Sequence, residues 1–351
     1  MALRDAFPVL QSVAYLNAGT NGPLPSAAAE AAQAEQRAAL DEGRGMKRYE
    51  RRREIVDAVR GRYAALLGAE AEHVALTTCT TEGVARVLAG FDLAPGDEVL
   101  TSDQEHPGLL GPLAAAKARG VEVRMAPFAD LADAAGPKTK LVACSHVSWM
   151  TGQVAPAALG ELDVPVLYDA AQAVGAVEVD VRALGAAFYA GSGQKWLCGP
   201  EGMGMLYIAP EWRERVRPIA PGYLNLVDAH AGLDAVPLPD ARAFDVPALA
   251  NEPLAAALAA LEVLDGGDRA AGRALAARAA EALEEAGRLV APRGDTTLVS
   301  FTSADSEAER DALSAAGVAV RNLPGTPYIR ASFGAWNDES DLERLLAALS
   351  A

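Results

Sequence analysis

Two short apolar runs in this chain end in charge. Val164-Pro165-Val166-Leu167-Tyr168 leads into Asp169, and Ala186-Ala187-Phe188-Tyr189-Ala190 leads into the glycine-dense loop Gly191-Ser192-Gly193-Gln194-Lys195-Trp196. Unbroken apolar runs of this length, bounded by turn residues, read as strands buried on both faces, as in sheets covered by helices on either side. A carboxylate or ammonium at the end of such a strand is costly unless something pairs it. In an open α/β sheet, ligands sit outside the carboxyl ends of the strands, where Asp169 and Lys195 both fall. The stretch therefore predicts an α/β sheet with a charged site along one edge.

An amine and an acid delivered to one sheet edge suit pyridoxal phosphate. The lysine would attach the cofactor covalently, and the aspartate would keep the pyridine nitrogen protonated so that the ring accepts electrons. Taken singly, a lysine after a strand is usually a solvated surface charge, and a strand-end aspartate usually caps a helix. The Ser192-Gly193-Gln194-Lys195 loop and the Asp169-Ala170-Ala171-Gln172 turn together favour chemistry.

Asp169-Ala170-Ala171-Gln172-Ala173-Val174-Gly175, followed by Ser192-Gly193-Gln194-Lys195-Trp196-Leu197-Cys198-Gly199-Pro200, resembles the class V aminotransferase family. That family includes cysteine desulfurases, isopenicillin N epimerase-like proteins and related carbon–sulfur lyases. The resemblance covers nearly the whole chain and implies an α/β fold, the PLP-dependent transferase fold type I. It places a large, mostly parallel-sheet domain over residues 16–245 and a small α+β domain over residues 1–15 and 246–351. Pyridoxal 5'-phosphate would be held by Lys195, with Asp169 at the ring nitrogen, Gln172 near the phenolic oxygen and His106, from Glu105-His106-Pro107, flat against the ring. Gln194 stands where relatives commonly carry histidine. Asn17 lies in a loop resembling the one over the substrate pocket, and Trp149 occupies a position where desulfurases usually carry asparagine. A homodimer is also implied, although residues 210–247 hold no Gly-Thr of the kind that reaches the partner's phosphate in many relatives.

The rest of the chain reads in the same terms. Ser26 is a candidate cap for an alanine-rich helix to about Asp41, and a second helix is expected near Tyr49–Leu67. The strand His73–Thr78 runs into Cys79-Thr80-Thr81-Glu82-Gly83, and Val84, Val87, Leu88 and Phe91 then recur at helical spacing. The first turn of that helix offers hydroxyls and free N–H groups. These suit either a simple threonine cap or a phosphate, and the resemblance favours phosphate on Thr80, Thr81 and Ser192. Strands are expected at Asp97–Ser102, Val121–Phe128, Lys140–Val147 and, antiparallel, Gly202–Ala209. A proline-rich, loop-like stretch over residues 210–247, with Pro218, Pro221, Pro237, Pro239 and Pro247, puts a boundary near Phe244-Asp245-Val246-Pro247. Beyond it come helices at about 248–264 and 266–287, strands at Thr296–Thr302, Ala319–Leu323 and Tyr328–Phe333, and a last helix at Asp338–Leu349. Arg330 sits among apolar residues of one of these strands. A buried guanidinium needs an anion, either an internal acid or, as the family's Arg-Ala-Ser pattern implies, a substrate carboxylate.

A net charge of −16 over 351 residues disfavours nucleic acid and anionic membranes as partners. No apolar run approaches the roughly 18 residues of a membrane span. The N-terminus lacks the basic-then-apolar order of a signal peptide, so a cytoplasmic location is expected. The three cysteines and four histidines show no metal-ligand spacing. A dinucleotide oxidoreductase would require a Gly-X-Gly-X-X-Gly after the first strand, which is missing. A non-catalytic homologue would keep the fold while losing the lysine or the aspartate, and both are present. The expected function is a PLP-dependent enzyme acting on a small α-amino acid by β-elimination, transamination or epimerisation. Desulfurase-type sulfur release is disfavoured, because Val320–Pro327, where a desulfurase would carry its thiol, is short and holds no cysteine.

Overall fold

The computed structural model describes residues 3–350, so the outermost ends of the expected small domain, residues 1–2 and 351, lie outside the described residues. The strands are β1 (Ala14–Tyr15), β2 (Val74–Thr77), β3 (Glu98–Ser102), β4 (Glu122–Ala126), β5 (Thr139–Ser145), β6 (Val166–Asp169), β7 (Phe188–Ser192), β8 (Gly204–Ile208), β9 (Leu298–Thr302), β10 (Val318–Ala319), β11 (Arg321–Asn322) and β12 (Tyr328–Ser332). The helices are α1 (Ser26–Glu42), α2 (Met46–Leu67), α3 (Thr80–Gly90), α4 (Pro107–Ala118), α5 (Leu131–Ala134), α6 (Asn251–Leu264), α7 (Arg269–Glu285), α8 (Ser306–Ala315) and α9 (Glu339–Leu349).

A seven-stranded sheet runs in the order β2-β8-β7-β6-β5-β3-β4. The five strands from β4 to β7 are mutually parallel, and β8 lies antiparallel to both β7 and β2. Alternate residues along each strand feed two apolar layers. Val99, Leu141, Leu167 and Phe188 join the layer under α3 and α4, while Leu100, Val142, Val166 and Tyr189 join the layer under α2. A sheet covered on both faces forces its functional groups to the strand ends, because its faces are packed shut.

The second sheet is antiparallel, β11-β12-β9. Val299, Phe301, Ile329 and Ala331 face a separate apolar cluster with α7 and α9. Arg330, Ser300 and Ser332 alternate with them on the other side, so the sheet turns a polar face to the large one. β1, at the N-terminal end of the chain, pairs in parallel with β10, and α6 packs on α1 and α2.

Three local expectations are corrected. Ser26 is the first helical residue rather than the cap; Pro25 takes the cap position, with no side-chain hydrogen bond. The strand expected over Ala319–Leu323 is two, since β10 pairs with β1 and β11 with β12. Helices α4 and α8 were not anticipated: Gly108, Gly111 and Pro112 obscure α4, while α8 carries a readable cap, Asp305 accepting from Ala308 N–H at 3.0 Å.

Candidate active site

Asp169 ends β6 and is 5% exposed. The hydrogen bond its carboxylate receives among the described residues comes from Ala171 N–H to Oδ1 at 2.9 Å. Burial raises its pKa, while Lys195 and the Ala171 N–H pull it down. Its charge is thus incompletely compensated, the condition in which a cationic ring nitrogen is welcome. Lys195 follows β7 and is half-buried. Desolvation lowers its pKa to about 8, against the upward pull of Asp169, and Arg330 lowers it further.

The lysine loop is held in a shape its sequence would not choose alone. Cys198 sits in the left-handed region at φ 51°, costly for a side chain with a Cβ. Gly22 lies so close that a Cβ there would come within 2.0 Å of the Lys195 carbonyl oxygen. Gly22 N–H donates to the Gln194 carbonyl at 2.8 Å. Gln172 closes the same junction, its Nε2 donating to the Gly19 carbonyl at 2.8 Å and its Oε1 accepting from Trp196 Nε1 at 3.1 Å. Both functional atoms of Gln172 therefore hold protein groups, in addition to any contact with a phenolic oxygen.

Thr80 and Ser192 meet at the start of α3. Their hydroxyls are 2.7 Å apart, and Thr80 N–H donates to Ser192 Oγ at 3.0 Å. Both are buried, whereas Thr81 is exposed. A Cβ on Gly108, in the first turn of α4, would lie 2.6 Å from Thr81 Oγ1. Two helix N-termini thus converge at Thr81, and their dipoles add in the direction that favours a phosphate.

His106 caps α4, its Nδ1 accepting from Gly108 N–H at 3.0 Å. The ring is open to solvent on one side and meets Trp149 edge-on, with centroids 5.0 Å apart. Crowding by protein lowers its pKa to about 4, and the charges of Lys195, Arg330 and Arg321 push the same way. It is a neutral ring, suited to stacking.

Arg330 is 2% exposed and makes no ion pair among the described residues. Its Nη1 donates to the Trp149 carbonyl at 2.8 Å, and its Nε has no partner. Burial lowers its pKa to about 9, and Arg321 lowers it further. Gly19 makes room for it: a Cβ there would lie 2.6 Å from Nη2. The internal-salt-bridge reading thus finds no acid. Directly opposite, across the β11–β12 pair, stands Arg321, whose guanidinium makes no ion pair or hydrogen bond among the described residues.

Polar atoms buried without partners gather here: Asn17 Oδ1, Trp149 Nε1, Gln194 Oε1, Arg330 Nε and Ser332 Oγ. Buried polar atoms are ordinarily paired, so five at one cleft mark a place built for a polar ligand. With Asp169 needing a cation and two helix N-termini needing an anion, the residues fit pyridoxal phosphate and an amino acid.

Sequence reasoning left two groups unnamed. Arg321 was legible in principle, because counting outward from the Pro324-Gly325-Thr326-Pro327 turn pairs it with Arg330. Glu105 carried no local signal. It is 5% exposed and accepts from Ser145 N–H at 2.9 and 3.0 Å, from Ser145 Oγ at 2.6 Å and from Ser102 Oγ. Burial pushes its pKa up to about 7 against these donors, and Asp169 raises it further.

No helix among the described residues is long and apolar enough to cross a membrane, and no group of three His, Cys, Asp or Glu there could hold a metal ion.

The chain is similar to several known proteins. The isopenicillin N epimerase of Streptomyces clavuligerus is 29% identical over 349 residues, covering 93% of this chain and 85% of its own. A probable cysteine desulfurase of Methanothermobacter thermautotrophicus is 31% identical over 242 residues, 64% of this chain and 60% of that protein. Among solved structures, the cystine C–S lyase C-DES in complex with its reaction product cysteine persulfide superposes with a TM-score of 0.90 at 29% identity, over 98% of this chain and 99% of that one. The aminotransferase class-V pattern matches residues 14–345, and the chain belongs to that family of PLP-dependent enzymes.

Proposed function

We propose that this chain is a β-eliminating carbon–sulfur lyase whose substrate is a small α-amino acid with a second carboxylate, cystine being the model compound. The carrying observation is the pair Arg321 and Arg330, register partners on the polar face of the small sheet with no acid between them. Like charges directly opposite on a sheet destabilise it, so the arrangement calls for anionic ligands. Arg330 takes the α-carboxylate in a two-bond fork, and Arg321 takes the distal one. The likeness to a cystine C–S lyase supports the same reading.

In the site, Thr81 and the α3 and α4 N-termini would hold the phosphate, with Thr80 and Ser192 supporting them. His106 would stack on the ring, Asp169 would hold the ring nitrogen, and Gln172 and Gln194 would border it. Bound there, pyridoxal phosphate supplies an electron sink for the electrons of the broken Cα–H bond. Lys195 takes the α-proton, Asn17 and Trp149 line the substrate's side, and the β carbon–sulfur bond breaks. With cystine and water the products are cysteine persulfide, pyruvate and ammonia, and atoms balance.

Desulfurase chemistry is disfavoured. The β11–β12 turn is short and tied down, Thr326 Oγ1 donating to the Leu323 carbonyl at 2.9 Å and accepting from Tyr328 N–H at 3.1 Å. Cys144 and Cys198 are fully buried, which raises their thiol pKa values and keeps them inert.

A homodimer in a reducing, cytoplasmic setting completes the proposal. All three cysteines are free, and Ile219, Tyr223, Leu224, Val227, Leu233 and Val236 expose apolar side chains in one segment, as a subunit contact would require. Cystine, cysteine, alanine and serine offered separately test the activity. Pyruvate with persulfide from cystine supports the lyase. Alanine with persulfide from cysteine, surviving replacement of all three cysteines, refutes it.

A further inference from the structure

Five acids are buried among the described residues: Glu35, Glu98, Glu105, Asp169 and Asp341. Glu35, Glu98 and Asp341 each pair with an arginine, and Asp169 has Lys195. Glu105 has no cationic partner among the described residues. A buried carboxylate is costly even when hydrogen-bonded, so its place calls for an explanation.

Its position supplies one. The β3–β5 register pairs run only to Leu100 opposite Val142, although β3 continues to Ser102 and β5 to Ser145. Glu105 bridges these two strand ends. One carboxylate collects the Ser102 hydroxyl at the end of β3 and both the N–H and the hydroxyl of Ser145 at the end of β5. Ser145 is the register partner of Asp169 on β6, and His146 N–H donates to the Asp169 carbonyl at 2.9 Å. On the other side, Glu105 is bonded covalently to His106. The group that covers the ring and the group that holds its nitrogen are thus connected through one side chain.

We infer that Glu105 is a positioning residue, a clamp between the ends of β3 and β5 that fixes His106 relative to Asp169 and so sets the slot for the cofactor ring. The inference rests on the site assignment proposed above. A glutamine at this position keeps the clamp, since its amide oxygen accepts from Ser145 N–H and the Ser102 hydroxyl while its NH2 donates to the Ser145 hydroxyl; an alanine removes it.

The test uses full-length protein, titrated with pyridoxal phosphate by visible absorbance and read by visible circular dichroism, which reports how the ring is held. Glu105→Ala should weaken cofactor affinity by about tenfold or more and diminish the dichroism per bound cofactor, with Glu105→Gln restoring both to within about threefold. A folded Glu105→Ala protein with wild-type affinity and dichroism overturns the inference, as does a Glu105→Gln protein equally impaired. If Glu105→Ala fails to fold, Ser145→Ala is read the same way, and unchanged dichroism overturns the clamp. Asp169→Ala is the control for the site itself. If it too leaves both readouts unchanged, the site assignment fails; if it impairs both while Glu105→Ala does not, the clamp alone fails.

Discussion

Two buried charges face the cleft in opposite conditions. Asp169, on the large sheet, has a cation within reach in Lys195, and each pulls the other's pKa back toward its ordinary value. Arg330, on the small sheet, has another cation opposite it and no acid, so Arg321 adds to the cost of its burial. The first arrangement is a pair awaiting a third member that is partly cationic and partly electrophilic. The second is a socket with its anion missing. On the proposed reading, resident chemistry belongs to the half whose charge is partly compensated without ligand, and recognition belongs to the half whose charge is not.

Replacing members of each half should separate these roles. Lys195→Ala has the largest expected effect: loss of covalent, borohydride-stable cofactor attachment and a fall in turnover of at least about 10⁴-fold. Asp169→Ala removes the proposed anionic partner of the ring nitrogen and should cost about 3 kcal/mol, roughly 150-fold in kcat/KM, mostly through kcat. Near-normal turnover would mean that another acid serves the ring. In the other half the signature should reverse. Arg330→Lys cannot reproduce the planar fork, so KM should rise by roughly thirtyfold, about 2 kcal/mol, with the cofactor spectrum unchanged. Arg321→Ala should raise KM for cystine by about tenfold and leave unchanged the affinity for alanine, a ligand with no distal carboxylate, read from the cofactor spectrum; equal effects on both would remove the distal-carboxylate role. The subtlest test is of pH. The Lys195 amine must be neutral to attack, and its pKa lies near 8. Cofactor attachment to the apoprotein, followed by stopped-flow absorbance, should quicken roughly tenfold per unit at lower pH and level off above about 8. A profile still climbing past pH 10 would indicate an unperturbed lysine.

Much of this site was readable from local pattern. Asp169 and Lys195 stand at the ends of apolar runs whose burial is dictated by composition, and Arg330 is conspicuous as the charge in an apolar strand. The helix after Thr80 is announced by its spacing, and the antiparallel return of β8 by its glycines. These signals survive because periodicities of two and 3.6 residues, and the cost of burying charge, act within a few residues of chain.

What tertiary structure alone decided involves residues far apart in the chain. Gln172 reaches Gly19, 153 positions away, and Glu105 reaches Ser145, 40 positions away. Glu105 looks like an ordinary surface glutamate in sequence; only the juxtaposition of the β3 and β5 ends gives it donors and buries it. Likewise, whether Arg330 met an acid or an arginine depended on the β11–β12 register, and one residue of slip would have turned Arg321 to the opposite face. The chain's composition and periodicity determined the strands, their burial and the charges at their ends. The partners those charges met were decided by strand order, register and loop closure, because such contacts form only when distant segments are brought together by packing.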